Sequence, residues 1–132
     1  RADVIRATME GITMGLRSCL DEIRKLTSVG DEMLLVGGGS KSSLWRQIYA
    51  DIYGMNVVKT NIDQQAAALG AAACAAVGAG IWKDFERIDA LHQVEEYVKP
   101  IPENMEFYNK EMDLYNQFTD MLCDMGDQLA KL

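Results

Sequence analysis

The stretch Met33-Leu34-Leu35-Val36-Gly37-Gly38-Gly39-Ser40-Lys41-Ser42-Ser43-Leu44-Trp45 passes from an apolar run, through three glycines, into the start of a helix. Residues 33–36 read as a buried strand. The glycines admit positive φ, and without Cβ atoms they let a ligand lie against the backbone. Ser40, Ser42 and Ser43 are each placed to cap the helix that follows. Its first turn carries unpaired N–H groups and the positive end of the helix dipole, which together favour an anion. A phosphate cradle has this form, and so does a tight strand-to-helix turn without a ligand; the local pattern leaves both readings standing.

Working outward, residues 44–53 place Leu44, Ile48 and Ile52 on one helical face, and Gly54 stands where a left-handed C-terminal residue is wanted. Residues 55–60, with Val57 and Val58, read as a second strand, after which Asn61 or Asp63 caps an alanine-rich helix. Strand, helix, strand is a βαβ unit, and its strands are expected to be parallel with a right-handed crossover. Upstream, Ile5, Met9, Ile12, Leu16, Cys19, Ile23 and Leu26 recur by threes and fours. They predict a long amphipathic helix over 3–26 with Asp3 as its N-cap, stopped by Val29-Gly30-Asp31. Residues 83–99 read as irregular with one short helix. Pro100 and Pro102 then lead into a last helix carrying Met105, Tyr108, Met112, Tyr115, Phe118, Leu122, Met125 and Leu129.

Two strands are too few for a stable sheet with helices on both faces. Strands are therefore missing, and the chain reads as an α/β domain incomplete at its N-terminal side: the second half of a domain, or one whose remaining strands belong to another part of a longer protein. Its beginning at Arg1, without methionine or a signal-like segment, points to a processed chain or a piece of a longer one.

At 132 residues, 48% hydrophobic and 25% charged, the chain suits one globular domain. A net charge of −7 and the lack of a basic cluster argue against nucleic-acid or anionic-membrane surfaces. A cytoplasmic setting is expected. Cys19, Cys74 and Cys123 are far apart and outside CxxC spacing, so they form neither a disulfide framework nor a metal site and are expected as buried reduced thiols. Residues 65–82 carry no charge, yet alanine and glycine dominate and give little drive into lipid. The small residues Ala67, Gly70, Ala71, Cys74 and Gly78 instead predict a buried helix pressed on the sheet or on a ligand wall.

GGGSKSSLWRQIYADIYGMNV, followed by QAAALGAAACAAVGAGIW and the tail helix, resembles the C-terminal domain of the FGGY carbohydrate kinases. The resemblance is strongest to their xylulose-phosphorylating branch, where GGGxKSxLWRQxxAD precedes EAAALGAAxxAAVGxG; it covers roughly residues 1–120. Glycerol-phosphorylating relatives have Asp where this chain has Val36 and Asn pairs where it has Ser42-Ser43. The resemblance implies an actin-like, RNase H-like fold, ATP bound in a cleft between two domains, and Mg²⁺-dependent phosphoryl transfer to a sugar hydroxyl, with D-xylulose the expected sugar. Carried over by position, Gly37, Gly38 and Gly39 pass beside the phosphates and ribose, and Ser42 lies near the adenine. The family's catalytic Asp, its N-terminal phosphate motif and its sugar contacts have no counterpart here, so the chain holds no catalytic residue and is expected to be inactive alone. Gln65 stands where the family has Glu.

Other polar residues offer less. Lys41 reads as a solvated loop lysine, and His92, the only histidine, has no nucleophile or acid at a telling spacing. Trp45 is expected as a core anchor, with stacking on a base as its functional alternative. The pairs Glu95-Glu96 and Asp124 with Asp127 read as solvated faces. Two functions remain: the nucleotide-binding portion of a sugar kinase completed by an N-terminal domain, or a noncatalytic module that keeps the fold and self-associates, as a homodimer, through its long helices.

Overall fold

The computed structural model describes residues 1–62 and 65–132, and Asp63, one of the two expected caps of the alanine-rich helix, lies outside them. Helix α1, Ala2–Leu26, has Arg1 at its N-cap without a side-chain bond. Asp3 is not the cap; it sits in the first turn, where its charge still complements the dipole. Strand β1, Glu32–Leu34, is shorter than the apolar run suggests. Helix α2, Ser43–Tyr53, ends on Gly54 at φ 62°, whose N–H reaches the Ala50 carbonyl at 2.9 Å. Strand β2, Asn56–Thr60, then lies parallel to β1 with Met33 opposite Val57, as the βαβ pattern predicts.

Helix α3, Ala66–Gly78, and the short helix α4, Arg87–Leu91, lead to strand β3, Val94–Val98. This strand corrects the expectation that residues 83–99 hold only a helix. It pairs antiparallel to β2, Val57 opposite Val98 and Lys59 opposite Glu96, with a register shift at Lys59/Thr60, so the sheet runs β1-β2-β3. Val-Glu-Glu-Tyr-Val lacks the apolar alternation that marks a half-buried strand, because only Val98 is buried. Backbone pairing with β2 defines it instead. Helix α5, Pro102–Leu129, opens with proline at its first position, where the missing N–H costs nothing.

Helix α2 is the hub of the core. Seven of its eleven residues are buried, Arg46 and Ile48 to Tyr53, and α1 and α5 both pack on it while it lies over β2 and β3. Met14 of α1, Tyr108 and Met112 of α5, Val57 and Val98 close the cluster. Polar contacts fix the same arrangement. From α1, Arg17 and Arg24 donate to the Ile52 and Tyr53 carbonyls at the C-terminus of α2, where a positive charge meets the negative end of the dipole. Asp51, 3% exposed, accepts from the Ile101 N–H at 2.8 Å and from Asn104 at 2.7 Å, and so pins the start of α5. Burial pushes the Tyr53 and Tyr108 hydroxyls up to about 12 and also raises Tyr49, so all three remain neutral phenols at ordinary pH.

Three expectations fail here. The strand at residues 33–36 is not buried throughout: Leu34 and Val36 are exposed, and Met33 and Leu35 face the core. The alanine-rich helix is not buried either; Ala73 alone is enclosed, while Ala67, Ala71, Cys74 and Gly78 face outward. A Cβ added at Gly70 would meet nothing within 4 Å. The cysteines are likewise exposed rather than buried. Along α5 only Tyr108 and Met112 are buried, and Phe118, Leu122, Met125 and Leu129 are exposed. Among the described residues no helix is long and apolar enough to cross a membrane.

Candidate functional site

The glycine turn is held by short-range hydrogen bonds. After β1, the Leu35 N–H still bonds the Val58 carbonyl at 3.1 Å, and the chain then turns away at Gly37. Gly37 has φ 86° and ψ −164°, a region essentially reserved for glycine. Its carbonyl receives both the Ser40 N–H at 3.2 Å and the Ser40 hydroxyl at 2.7 Å, closing a single 3₁₀ turn over Gly38–Lys41. The Ser42 Oγ then accepts from the Trp45 N–H at 3.2 Å and caps α2. Of the three serines placed to cap this helix, Ser42 does so, and Ser40 is turned back into the loop.

The three glycines differ. A Cβ at Gly37 or Gly38 would meet nothing within 4 Å, so the turn has open space on that side. A Cβ at Gly39 would touch the Trp45 ring at 3.5 Å, an ordinary contact. Positive φ is needed at Gly37 and not at Gly38 or Gly39. Trp45 closes the other side as a core anchor: its Nε1 donates to the buried Thr13 Oγ1 at 3.1 Å, and its ring stacks on Tyr49 with centroids 6.0 Å apart. That fixes the ring between α1 and α2. Lys41 is exposed, as expected of a solvated lysine, and Gln65 is exposed at the start of α3.

A buried arginine beneath the turn escaped the sequence reading. Arg46, 6% exposed, donates through one terminal nitrogen to the Ser40 carbonyl and through the other to Glu96 Oε2, each at 2.5 Å. Its Nε has no partner among the described residues. Burying that donor costs about 1–3 kcal/mol, which the two charge-assisted contacts offset. Glu96 is thus half of a partly buried ion pair and not merely part of a solvated face, whereas Glu95 is exposed as expected and pairs with Lys59. The signal for Arg46 was present: it falls on the stripe 46, 49, 50, 53, otherwise Tyr, Ala and Tyr. No such signal marked Glu96. His92 is satisfied by Thr60 at 3.3 Å, consistent with a structural role.

The turn can hold an anion on its open side by backbone groups and the α2 dipole. Residues 37–43 contain no carboxylate, imidazole or thiol, and no group of three such side chains converges among the described residues.

Residues 1–79 match the FGGY family of carbohydrate kinases, C-terminal domain. A xylulose kinase of Staphylococcus epidermidis is 32% identical over 116 residues, spanning 87% of this chain and 23% of that protein. An autoinducer-2 kinase of Salmonella paratyphi B is 35% identical over 112 residues, 83% of this chain and 21% of its own length. The crystal structure of a ligand-bound xylulose kinase from Lactobacillus acidophilus superposes with a TM-score of 0.78 at 28% identity, covering 89% of this chain and 24% of that one. The chain spans about a quarter of the length of the relatives it matches.

Proposed function

Since the chain belongs to the FGGY family of carbohydrate kinases, we propose that residues 1–132 are the C-terminal, nucleotide-binding portion of an ATP-dependent sugar kinase with the two-domain actin-like fold. The phosphate acceptor is a sugar hydroxyl, with D-xylulose the first candidate, and the enzyme works in the cytoplasm. The observation that carries this reading is the turn at Gly37: a glycine-only backbone conformation opens onto free space at Gly38 directly before the N-terminus of α2.

Phosphoryl transfer asks of a protein mainly positioning and stabilisation of developing negative charge. In this proposal Gly37 and Gly38 let the nucleotide lie against the backbone, Gly39 seats the turn on Trp45, and Ser42, committed to capping α2, borders the base end of the site. Mg²⁺ would enter with the nucleotide, and no group of three carboxylate, imidazole or thiol side chains among the described residues stands ready to hold it. The group that takes the sugar proton and the sugar contacts belong to the N-terminal domain or to the start of the C-terminal one, ahead of these residues. The chain alone therefore transfers no phosphate.

The test is Gly38→Val in the full-length kinase. The new side chain enters open space, so the fold should survive, as a thermal melt will confirm. Apparent KM for ATP should rise on the order of 10²-fold, the size of effect a displacement of about 1 Å produces. The KM for the sugar should change far less. An unaltered ATP dependence in a folded variant makes the turn purely structural. Self-association through α5 is the second reading, favoured by the exposed Phe107, Leu114, Phe118 and Met121.

A further inference from the structure

We propose that Arg46 is a positioning residue for the glycine turn, and that its pairing with Glu96 ties the nucleotide site to β3. The proposal rests on the nucleotide reading of the turn.

The geometry is that of a strut. Arg46 sits in the first turns of α2, and its guanidinium points back under the residue that closes the 3₁₀ turn. One arm holds the Ser40 carbonyl. Ser40 in turn holds Gly37 through its hydroxyl and its N–H, both on the Gly37 carbonyl. The strained glycine is therefore two bonds removed from the guanidinium. The other arm holds Glu96, which stands opposite Lys59 in the β2–β3 pairing. A rigid planar fork can span two fixed acceptors, whereas a lysine ammonium on a flexible stem is a single point of charge. Because Glu96 remains partly exposed, water can hydrate it when Arg46 is removed, so loss of the strut need not leave a buried charge.

Arg46→Lys and Arg46→Met in the full-length kinase test this, with amide exchange read on a peptide covering residues 36–43 and with KM and kcat read separately. Arg46→Lys is expected to melt near the parent and yet to exchange roughly ten- to hundredfold faster in that peptide, the effect of losing one hydrogen bond to a charged group. Apparent KM for ATP should rise by about tenfold or more while kcat moves less. Glu96→Gln, which keeps an acceptor, should show the same pattern more weakly. Parent-like exchange at 36–43 in variants that merely melt lower would make Arg46 a stability residue and overturn the proposal. If Arg46→Lys loosens the turn without moving KM for ATP, Gly37→Val decides between the two claims. A raised KM in Gly37→Val alone retains the nucleotide site and removes Arg46 from it; an unmoved KM in both defeats the nucleotide reading together with this proposal.

Discussion

Helices α2 and α3 each follow a strand of the same sheet and are of similar length, eleven and thirteen residues, yet seven residues of α2 are buried and one of α3. By composition the order should be reversed, since α3 carries no charge and α2 carries Arg46 and Asp51. The difference lies in what each helix meets. Both long helices and two strands converge on α2, and its two charges are paired by the Ser40 carbonyl and Glu96 and by the Ile101 N–H and Asn104, with the Arg46 Nε alone left unpartnered among the described residues. Helix α3 is apolar around its whole circumference, the pattern of a helix made to be enclosed. Under the proposed function its partner is the remainder of the longer polypeptide. Apolar content says that a helix wants cover; only packing says whether it has it.

The sharpest way to break this comparison is truncation in the hub. Ile52→Ala removes a side chain of the core cluster that is 1% exposed, and should cost about 2–5 kcal/mol in urea unfolding of the chain. Met125→Ala, at an exposed position of α5 away from the groove it forms with α1, should change stability by less than about 0.5 kcal/mol. Comparable losses from the two would mean that α5 is covered along its length and that the hub is not singular.

A smaller effect sharpens the picture of α3. With open space beyond Gly70, a leucine there cannot overpack the chain, and the small-residue stripe gives no reason for a penalty. Gly70→Ala should instead stabilise by roughly 0.5–1 kcal/mol, the ordinary helix-interior difference between the two residues. A loss of stability in Gly70→Ala would show that the helix is enclosed.

The least effect concerns the groove between α1 and α5, lined by Glu10, Met14, Glu111, Leu114, Tyr115 and Phe118. Burial, with Glu10 nearby, holds the Glu111 carboxyl above its ordinary range. The folded state therefore binds more protons than the unfolded one between the two values, and stability falls as pH rises through that interval. The penalty is absent below the unfolded value and complete above the folded one. Glu111→Gln should flatten this slope in unfolding measured across mildly acidic pH, and an unchanged slope would remove Glu111 as its source.

Much of the site was legible in the sequence because it is local. Gly37 adopts its conformation through sterics within two peptide units, Ser42 caps through a bond three residues long, and Gly54 ends α2 within one turn. Such features depend on neighbours in the chain, and the sequence displays those neighbours directly. The parallel pairing of β1 with β2 follows from the single helix between them, which returns the chain to the end of the sheet where the first strand began.

What the sequence by itself determined is thus the βαβ unit, its helix ends and the glycine turn, each set by short-range sterics and hydrogen bonding. The tertiary structure alone decided that Val94–Val98 is a strand, that Glu96 answers Arg46 across fifty residues, and that α3 and the cysteines stand exposed. Strand pairing, ion pairing and burial are relations between segments distant in the chain, and their free energy depends on which surfaces meet, a quantity that no local pattern of residue types contains.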